Sequence, residues 1–428
     1  MKIAVVGLGY VGLPLALHFA RSGVAVVGLD IDPDKTTALN AGRSYIRHIP
    51  AEQVAAEVAA GRFSATTDFA AVSDVEAVII CVPTPLTPNR EPDISYILNT
   101  GRTIAQFLNR GALVVLESTT YPGTTDTDLR VVLEQGSGLT AGTDFHLAFS
   151  PEREDPGNPD SRVAEIPKVV GGYTPACLER ARALYARAIR TLVPVSSCRV
   201  AEATKLLENI FRSVNIALVN ELKLVYGAMG IDVWEVIHAA RTKPFGYMPF
   251  YPGPGLGGHC LPIDPFYLAW KAREYGQTAR FVELAGEVNT AMPAHVFHVT
   301  TDALNARRKP VNGSRVLVVG LAYKPNVDDL RESPAFALFD LLRAHGAEVA
   351  YHDPYIPVIG PTREHAQWKG LKSVAWERET IAAFDAVVIV TAHSAVPHAD
   401  LIAWADCIVD TRNVLAGAAA RPGQVWKA

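Results

Sequence analysis

The stretch that decides the fold is KIAVVGLGYVG at residues 2–12. A short β-branched run leads there into three glycines in the spacing GxGxxG, which are Gly7, Gly9 and Gly12. A segment of helical character follows at residues 13–21, and a second apolar run at residues 24–29 ends in Asp30. Strand, glycine turn, helix, strand and acid in this order predict a βαβ unit that binds a dinucleotide at the N-terminus of its helix.

Each residue of this motif has its own physical task. Gly7 makes the tight turn, Gly9 lets a pyrophosphate approach the backbone, and Gly12 lets the helix pack against the strand. Asp30 can accept hydrogen bonds from the adenosine ribose and would repel a 2′-phosphate, so the motif favours NAD over NADP. A flavin or another nucleotide in the same cradle is the alternative.

Composition argues against several other classes of protein. The 428 residues suffice for two or three domains, and 40 basic against 44 acidic residues give no sign of a nucleic-acid or lipid-surface partner. The five cysteines are scattered and form no disulfide framework or metal-binding motif. The first apolar run belongs to the βαβ unit rather than to a signal peptide, and no run approaches the roughly 20 residues that span a bilayer. We therefore expect a cytoplasmic protein without a metal.

The chain divides by pattern into three regions. Residues 1–200 alternate short apolar runs with helical segments, which predicts a doubly wound parallel sheet. Further strands are predicted at residues 75–82, 112–116, 145–149 and 168–171. Residues 201–306 are mainly helical and begin with a long helix whose apolar residues recur at three- and four-residue spacing. Residues 312–428 return to the αβ pattern, so we expect two Rossmann-like domains joined by a helical region.

The third region echoes the first. RVLVVGLAYKP at residues 315–325 resembles the opening stretch, but Ala322 replaces the second glycine and the third has no counterpart. We therefore expect a second Rossmann-like sheet that does not cradle a pyrophosphate in the same way. Two cations, Lys324 and Arg331, flank the loop that follows, where they can bind phosphates or reach a neighbouring site. A solvated charged loop is the alternative.

The glycine-rich loop PGPGLGGHCLPIDP at residues 252–265 contains one thiol, Cys260. Asp264 lies four residues later, and Pro265 suits the first turn of a helix, which makes Asp264 a candidate N-cap. A thiol near a helix N-terminus is biased toward the reactive thiolate, so Cys260 is a candidate nucleophile. The alternatives are a small buried side chain in a turn, or a metal ligand beside His259, although adjacent residues cannot easily bind one ion.

Three polar segments follow predicted strands of the first region, where ligands bind in open α/β sheets. CVPTP at residues 81–85 can wall the adenine and ribose, ESTTYP at residues 117–122 offers hydroxyls near the nicotinamide, and SPERED covers residues 150–155. On the long helix, Lys205 and Asn209 lie one turn apart and can place an ammonium and an amide beside one reacting oxygen. Ordinary turns, and for the helical pair a boundary open to solvent, are the alternatives.

Taken together, these motifs resemble one family over essentially the whole chain, the nucleotide-sugar 6-dehydrogenases (UDP-glucose/UDP-mannuronate dehydrogenases). The motifs are GLGYVGLPLA at 7–16, CVPTPL at 81–86, ESTTYPGTT at 117–125, SPERED at 150–155, ATKLLEN at 203–209, PGPGLGGHCLPIDP at 252–265 and GLAYKPNVDDLRESP at 320–334. The SPEREDPGNP and GGHCLPIDPFYL wording is similar to bacterial UDP-N-acetylglucosamine 6-dehydrogenases. UDP-glucose dehydrogenases usually carry SPEF and GGSCFPKD instead.

The resemblance implies two Rossmann-like domains joined by a long helix that also forms a dimer. It implies an NAD-dependent enzyme that oxidises the C6 alcohol of a UDP-sugar to a carboxylate with two NAD and no metal. The local wording favours UDP-N-acetylglucosamine as substrate, with UDP-glucose and UDP-N-acetylmannosamine as alternatives. A homodimer or higher homo-oligomer in the cytoplasm, serving polysaccharide or lipopolysaccharide biosynthesis, is the expected setting.

Catalytic roles are implied by the same resemblance. Cys260 would attack the aldehyde intermediate, while Lys205 and Asn209 would stabilise oxyanions. Asp264 would aid proton transfer around the thiol and water, and Thr119 would help hold the water or the substrate.

The acid–base assignment is less simple, because the chain departs from the family here. Glu152 matches a family glutamate that acts through water or in thioester hydrolysis. The glucose-oxidising type has a second glutamate where this chain has Pro156. The role therefore rests on Glu152 alone or is shared with Glu154 or Asp155.

Binding roles complete what the resemblance implies. The expected NAD-binding residues are Gly7, Gly9, Tyr10, Val11, Gly12, Asp30, Lys35, Thr84, Ser118, Thr119 and Arg331. The expected substrate-binding residues are Glu152, Arg153, Lys205, Asn209, Tyr251, Gly257 and Lys324, with Arg412 as a weaker candidate.

Two rival functions are considered beside this one. A regulatory protein could use the Rossmann cradle to sense NAD without turnover, and a 3-hydroxyacid or 6-phosphogluconate-type dehydrogenase could use it for a different oxidation. Neither rival gives a reason for Cys260 in a glycine-rich loop, and both would tolerate Cys260→Ala.

Overall fold

The computed structural model describes residues 1–47, 49–87, 89–153, 165–258, 261–362 and 364–428. Backbone contacts divide the chain into two compact units. The first unit contains residues 1–209 and 266–278, and the second contains residues 210–265 and 279–428. The chain therefore passes from one unit to the other three times. The domain limits drawn from the sequence, 1–200, 201–306 and 312–428, stay a prediction.

The first unit is built on an eight-stranded sheet. Its strands are β1 (Lys2–Val6), β2 (Ala25–Leu29), β3 (Phe63–Thr66), β4 (Ala77–Ile80), β5 (Leu113–Leu116), β6 (His146–Phe149), β7 (Lys168–Gly172) and β8 (Leu192–Val195). Their order is β3-β2-β1-β4-β5-β6-β7-β8, and every pair is parallel except β6 with β7. The predicted doubly wound sheet is confirmed, with one antiparallel pair that the sequence pattern did not indicate.

Thirteen α-helices are assigned within the described residues. They are α1 (Gly12–Arg21), α2 (Pro33–Asn40), α3 (Ala51–Ala59), α4 (Ser95–Ala105), α5 (Arg130–Ser137), α6 (Pro175–Tyr185), α7 (Cys198–Ala228), α8 (Val233–Ala240), α9 (Asp264–Glu274), α10 (Arg280–Asn305), α11 (Pro334–Ala344), α12 (Arg378–Ala382) and α13 (Leu401–Trp404). A π-helix covers Thr124–Leu129, and short 3₁₀-helices cover Phe69–Asp74, Ala366–Trp368 and His398–Asp400. Among these helices none is long and apolar enough to cross a bilayer.

The second unit contains a smaller sheet whose strands are arranged in a similar way. Its strands are β9 (Arg315–Val319), β10 (Glu348–His352), β11 (Ala386–Ile389), β12 (Ile408–Asp410) and β13 (Val425–Lys427). They are all parallel, in the order β10-β9-β11-β12-β13. The central strand β9 thus has its successors on both sides, as β1 does in the first sheet. The predicted second Rossmann-like sheet is confirmed.

Both sheets are covered on both faces, which is why their strands are apolar without alternation. In β1, Ile3 and Val5 pack into one cluster while Ala4 and Val6 pack into another. A strand sends successive side chains to opposite faces, so two clusters on one strand mean two buried faces. The strand β9 divides in the same way between the two clusters of its own sheet.

The long helix α7 begins earlier than the sequence predicted. The expected start was near Ala201, but α7 begins at Cys198. The Ser197 hydroxyl accepts a hydrogen bond of 3.3 Å from the N–H of Val200, which caps an end that lies before the apolar periodicity starts. The helix ends at Ala228.

Helix α9 contacts loops that follow β4 and β5 of the first sheet, although it comes after the glycine-rich loop in sequence. The Tyr267 hydroxyl donates a hydrogen bond of 3.1 Å to the carbonyl of Pro85. The Trp270 ring lies 5.2 Å from the Tyr121 ring, and the Lys271 ammonium lies 4.8 Å from the same ring centroid. These contacts place residues 266–278 in the first unit.

Candidate functional site

The glycine turn after β1 has the tight geometry that the motif predicts. Gly7 has φ +89°, and a Cβ there would lie 2.6 Å from the carbonyl oxygen of Cys81. A Cβ at Gly12, the first residue of α1, would lie only 1.9 Å from the Gly7 carbonyl oxygen. Both positions therefore require glycine, the first for the turn and the third for the packing of helix on strand.

The middle glycine behaves differently. A Cβ at Gly9 would meet nothing within 4 Å, so the space beside it is open. This opening lies just before the N-terminus of α1, where backbone N–H groups and the helix dipole favour an anion. The cradle therefore fits the pyrophosphate of a dinucleotide, which needs both a close approach and an unfilled volume.

Asp30 stands at the end of β2, where the acid of the motif is expected. It is buried, and its Oδ2 accepts a hydrogen bond of 2.9 Å from the N–H of Leu8. The Nζ of Lys35 lies 3.3 Å from the same oxygen, and the N–H of Asp32 donates to Oδ1 at 3.1 Å. The carboxylate is thus fixed beside the glycine turn, in a place where a ribose could reach it.

The polar segments that follow the next strands line the same edge of the sheet. Thr84 is buried after β4. The Ser118 hydroxyl, after β5, donates a hydrogen bond of 2.7 Å to the carbonyl of Val82, while Thr119 beside it is partly exposed. Tyr10 and Val11, between the glycines, are also partly exposed. The carboxyl ends of β1, β4 and β5 therefore meet at one edge, as parallel strands require.

The long helix carries Lys205 and Asn209, the pair for which the sequence predicts stabilisation of an oxyanion. Lys205 is 7 % exposed and Asn209 is fully buried, one turn apart on α7. The alternative of a boundary open to solvent is therefore excluded for both residues. A buried lysine and a buried amide on one helix face are expected at a site that stabilises negative charge, because burial strengthens their interactions with it.

A buried glutamate joins this helix to the loop after β5. Glu202 accepts hydrogen bonds from the N–H of Gly123 at 2.7 Å and from the N–H and hydroxyl of Thr125 at 2.9 and 2.7 Å. Burial raises the pKa of Glu202 to about 7, although these three hydrogen bonds act in the opposite direction. The ESTTYPGTT segment is thereby held against α7, less than one turn from Lys205.

The SPER segment after β6 is also held against α7. The Arg153 guanidinium lies 2.7 Å from the Glu208 carboxylate and donates a second hydrogen bond of 2.6 Å to the carbonyl of Pro167. Glu208 precedes Asn209 on the helix. The segment that carries Glu152 is therefore tied directly to the helix that carries the buried pair.

Glu152 itself sits next to a buried chain of charges. Lys168, on β7, lies 3.0 Å from Glu117 at the end of β5 and 4.0 Å from Glu152. The Tyr185 hydroxyl donates a hydrogen bond to Glu117 as well. Burial alone would lower the pKa of Lys168, but the two carboxylates raise it, so the ammonium stays charged.

In the second unit, the glycine-rich loop packs against the loop that carries the two predicted cations. The N–H of Gly258 donates a hydrogen bond of 3.0 Å to the carbonyl of Arg331. A Cβ at Gly257 would lie 2.6 Å from the Cβ of Tyr323 and 2.9 Å from the carbonyl oxygen of Glu332. These glycines are needed because two backbones approach closely here, in addition to any ligand.

The side chains of this second loop are partly exposed. Lys324 is partly buried, with its ammonium 5.8 Å from the Tyr323 ring. The Arg331 guanidinium makes a two-bonded contact with Asp329, at 3.0 Å from Nε and 2.6 Å from an Nη. A guanidinium fixed by a carboxylate presents its remaining N–H groups in a set direction.

The start of the glycine-rich loop is fixed from another side. The Asn220 amide oxygen, on α7, accepts a hydrogen bond of 2.9 Å from the N–H of Gly253. A Cβ at Gly253 would lie 2.5 Å from the Arg412 guanidinium, which bonds the Val390 carbonyl at 2.8 Å. Tyr251, the residue before the loop, stacks on Trp234 at 5.7 Å.

Only part of the predicted catalytic set lies within the described residues. Asp264 is buried and is the first residue of α9. As the predicted N-cap it would have preceded the helix, so α9 begins one residue earlier than predicted. Cys260, His259, Glu154 and Asp155 lie outside the described residues. Over the parts of the chain that are described, no three His, Cys, Asp or Glu side chains form a group that could hold a metal ion.

Three residues that organise the first unit were not predicted from the sequence, namely Glu202, Lys168 and Tyr185. Glu202 had a usable signal, because an acid one turn before Lys205 lies on the same helix face. Lys168 and Tyr185 had none, because their partner Glu117 is more than fifty residues away in sequence and is reached only through the strand order.

Comparison with protein families gives matches along nearly the whole chain. Residues 1–189 match the NAD binding domain of the UDP-glucose/GDP-mannose dehydrogenase family, and residues 199–291 match its central domain. Residues 317–417 match its UDP binding domain. The three matches follow the order of the regions read from the sequence.

Several individual proteins share about one third of their amino-acid sequence with this chain. A UDP-N-acetyl-D-glucosamine 6-dehydrogenase of Pseudomonas aeruginosa is 36 % identical over 395 residues, covering 92 % of this chain and 91 % of that protein. A UDP-N-acetyl-D-mannosamine dehydrogenase of Escherichia coli K12 is 36 % identical over 405 residues, covering 92 % and 93 %. The solved structure of the UDP-D-ManNAc dehydrogenase of Pyrococcus horikoshii superimposes with a TM-score of 0.87 at 34 % identity, covering 98 % of each chain.

Proposed function

Because the chain belongs to the UDP-glucose/GDP-mannose dehydrogenase family, we propose that it oxidises the C6 alcohol of a UDP-sugar to a carboxylate in two steps. It is an NAD-dependent oxidoreductase acting on a nucleotide sugar. The two-step course and the identity of the sugar are the parts that we propose. NAD, when bound, accepts one hydride from C6 in each oxidation.

Cys260 is the proposed nucleophile. After the first oxidation its thiolate adds to the C6 aldehyde, forming a C–S bond and a thiohemiacetal oxyanion that takes up a proton. The second oxidation converts this adduct to a thioester, and water then breaks the C–S bond to release the carboxylate, the thiol and a proton. The aldehyde therefore never leaves the protein.

Lys205 and Asn209 are proposed to stabilise the negative charge that develops on the C6 oxygen. Their support is the geometry of α7, where an ammonium donor and an amide donor are buried one turn apart. Donors that are already fixed and shielded from water stabilise an oxyanion without reorganising, which is commonly the largest catalytic contribution.

Glu152 and Asp264 are proposed to move protons, and Thr119 to hold water or substrate. For Glu152 the support is its place in the SPER segment, where a carboxylate oxygen lies 4.0 Å from the Lys168 ammonium. Its sharing of this role with Glu154 or Asp155 remains part of the proposal.

Two sets of binding residues are proposed. NAD would be held by the glycine turn with Tyr10 and Val11, by Asp30 and Lys35 at the ribose, and by the polar edge. The residues of this set are Gly7, Gly9, Tyr10, Val11, Gly12, Asp30, Lys35, Thr84, Ser118, Thr119 and Arg331. The sugar nucleotide would be held by Glu152, Arg153, Lys205, Asn209, Tyr251, Gly257 and Lys324, with a weaker contribution from Arg412.

We favour UDP-N-acetylglucosamine as the substrate, giving the corresponding uronate for surface-polysaccharide synthesis. The wording SPERED at residues 150–155 and GGHCLPIDP at residues 257–265 supports a 2-acetamido sugar. The similar protein of Pseudomonas aeruginosa carries the name of this activity. A pocket that bonds the acetamido group leaves polar partners unpaired when a plain hydroxyl arrives, which disfavours UDP-glucose.

A second candidate substrate is UDP-N-acetylmannosamine. Its support is that similar proteins with this name, from Escherichia coli and Pyrococcus horikoshii, match the chain as well as the first one does. The two sugars differ only in the configuration at C2, so the choice depends on where the pocket places its acetamido partners.

The observation that carries the proposal is the buried Lys205 and Asn209 pair on α7, in the same unit as an open dinucleotide cradle. Purified protein with a limiting amount of each sugar should give two NADH per sugar and no free aldehyde, measured by endpoint absorbance. One NADH per sugar would contradict the two-step course. Side-by-side kcat/KM values for the three UDP-sugars decide the substrate, and a clear preference for UDP-glucose would refute our choice.

The variant Cys260→Ser tests whether Cys260 is the nucleophile or has only a structural role. An ester forms in place of the thioester and hydrolyses slowly, because an alkoxide is a poorer leaving group than a thiolate. We expect kcat to fall by several powers of ten and a sugar adduct to accumulate on the intact protein in mass spectrometry. Near-normal turnover would return Cys260 to a structural role.

We also propose an oligomeric state and a cellular compartment for the protein. A homodimer or larger homo-oligomer agrees with several large apolar side chains exposed on α7, including Leu207, Phe211 and Leu218. A reducing cytoplasm agrees with four buried cysteines that carry free thiols, namely Cys81, Cys177, Cys198 and Cys407.

A further inference from the structure

The second unit contains a cavity of about 550 Å³ that takes no part in the proposed chemistry. It lies between the last turns of α7, the start of α8, one face of α10 and the end of β13. Its lining includes Lys223, Gly227, Trp234, His295 and Lys427. A volume of this size is within the range of pockets that hold small organic ligands.

Lys223 is the unusual member of this lining. Its Nζ is buried and has no hydrogen-bond partner among the described residues. Burial, with a smaller contribution from Arg412, lowers the pKa of Lys223 to about 7. A buried ammonium without a partner is costly, and an anion placed beside it would remove that cost.

The charged groups around Lys223 leave it without an opposing carboxylate. Burial, and then Lys223 itself, lower the pKa of His295 on α10 to about 4, so this ring stays neutral. Burial lowers the pKa of Arg412 to about 10, which still leaves it charged at neutral pH. Asp232, the only acidic side chain of the lining that the structure describes, is already paired with Lys427.

The rest of the wall is apolar. Leu224, Ile231, Val233 and Trp234 contribute aliphatic and aromatic surface, and the Trp234 ring is held in place by its stacking on Tyr251. At Gly227 a Cβ would meet nothing within 4 Å, so this side of α7 is open toward free space. Such a site offers the unpaired amine of Lys223 for an anion and a fixed hydrophobic wall for an apolar body.

We propose that this cavity binds a small organic anion, whose carboxylate or phosphate pairs with Lys223 and whose apolar body packs against Trp234. The ammonium supplies the charge that fixes orientation, and the wall supplies the area that is removed from water. The ligand would occupy a place separate from every residue to which catalysis or NAD binding is assigned above.

Isothermal titration with benzoate and with phenyl phosphate tests this proposal, using benzyl alcohol as the neutral counterpart. NAD and UDP are kept saturating, so that the nucleotide sites are filled. At pH 8 Lys223 is mostly neutral, and pairing with an anion requires it to be protonated. We expect one site per chain and an uptake of nearly one proton, read from titrations in two buffers of different ionisation enthalpy. The stronger of the two anions identifies the head group.

Three variants make the outcome specific to the cavity. Lys223→Met should weaken anion binding at least tenfold, whereas Lys223→Arg should keep most of the binding but take up no proton, because its guanidinium is charged already. Lys427→Met is the matched control, since that ammonium is paired with Asp232, and it should change the affinity less than threefold.

Several results would overturn the proposal. They are an absence of binding by both anions, equal binding of benzyl alcohol, and unchanged anion affinity in Lys223→Met. A loss of folding is distinguished by thermal unfolding, and Lys223→Met should melt no lower than the parent protein because it removes an uncompensated buried amine.

Discussion

In the first sheet, the turn after β1 is left open, whereas in the second sheet the turn after β9 is filled by its own side chains. Gly7 and Gly320 have nearly equal φ values, +89° and +87°. Each glycine donates its N–H to a carbonyl at the end of the neighbouring strand. Gly7 bonds the carbonyl of Leu29 at 2.7 Å, and Gly320 bonds the carbonyl of His352 at 2.9 Å. The two turns therefore start from the same backbone geometry.

The difference begins two residues later. The first sheet has Gly9 with open space beside it, while the second has Ala322, whose N–H donates a hydrogen bond of 2.9 Å to Asp353. Asp353 follows β10 as Asp30 follows β2, and it accepts a further hydrogen bond of 2.7 Å from the N–H of Leu321. Both acids accept a hydrogen bond from the residue that follows the turn glycine, Leu8 in the first sheet and Leu321 in the second, but Asp353 also accepts one from the next residue along the turn.

A histidine completes the closure. The Nε2 of His393 lies 3.0 Å from Asp353, and its Nδ1 accepts a hydrogen bond of 3.0 Å from the N–H of Asn326. Since Nδ1 is an acceptor, Nε2 carries the proton and donates it to the carboxylate. Burial alone would raise the pKa of Asp353, but the hydrogen bonds from His393 and the backbone lower it. One fold thus supports a ligand cradle and a loop anchor with the same acid.

The largest effect is expected at Gly12, the glycine of the first turn that has no counterpart in the second. Gly12→Val puts a Cβ 1.9 Å from the Gly7 carbonyl oxygen, so the helix must move off the strand. We expect the free energy of unfolding to fall by about 3 kcal/mol or more and NAD binding to be lost. Urea unfolding and NAD titration measure the two effects.

Gly9→Ala is the control for that variant, because its Cβ meets open space. It should unfold at the same urea concentration as the parent protein while binding NAD more weakly. A Gly12→Val protein of parental stability would contradict the packing role, and the reverse change Ala322→Gly should create no NAD binding in the second sheet.

The next largest effect is on the free energy of unfolding, which Glu202 in the first unit and Asp353 in the second should make depend on pH in opposite directions. In the first unit, the Glu202 carboxyl has a pKa of about 7 against 4.5 unfolded, so the folded state holds its proton longer. Stability from this group is full below about pH 4.5 and is lost as the pH rises to about 7, a change of about 3 kcal/mol. In Glu202→Gln, the curve of unfolding free energy against pH should lack this decline.

The second unit should respond in the other direction. The lowered pKa of Asp353 gives stability that is present above its unfolded value of 3.8 and is lost as the pH falls through the folded value. Asp353→Asn should therefore flatten the acid side of the curve and leave the range from 4.5 to 7 unchanged. The same shape for both variants would refute the contrast.

A smaller effect is expected from the histidine that closes the second turn. His393→Leu leaves Asp353 without one donor and the Asn326 N–H without an acceptor, which should cost about 2 kcal/mol. His393→Gln can both donate and accept, so it should recover more than half of the loss. Hydrogen exchange at Asn326 should accelerate in the leucine variant only, and equal losses in both variants would count against the anchor.

The smallest effect concerns Asp30, the acid beside the open turn. Asp30→Ala should weaken NAD about tenfold, the usual size for one charge-assisted hydrogen bond, and narrow the preference over NADP. Asp353→Ala is its counterpart and should leave NAD affinity unchanged. Isothermal titration with both nucleotides checks this, and an unmutated protein that binds NADP as well as NAD would contradict the role of Asp30.

Local pattern explains what could be predicted from sequence. The first turn, its acid and the second sheet were predictable because glycine spacing and apolar runs act over fewer than thirty residues. The spacing of Lys205 and Asn209 predicted a shared face, but their burial could not be derived, because it depends on segments that Glu202 and Glu208 hold against α7.

What escaped prediction depends on contacts between distant parts of the chain. His393 lies forty residues beyond Asp353 and reaches it only because β11 is placed beside β9. The antiparallel direction of β7 escaped for the same reason, since nothing in the apolar run at residues 168–171 indicates which way it will enter the sheet.

Helix α9 has a consequence for the order in which the protein is made. Residues 266–278 leave the ribosome only after residues 210–265, although they complete the first unit rather than the second. Until then the Tyr121 ring and the Pro85 carbonyl lack the contacts that Trp270 and Tyr267 make with them in the finished protein. Translation proceeds at roughly 5–20 residues per second, so the nascent first unit waits for several seconds without these contacts, within reach of chaperones.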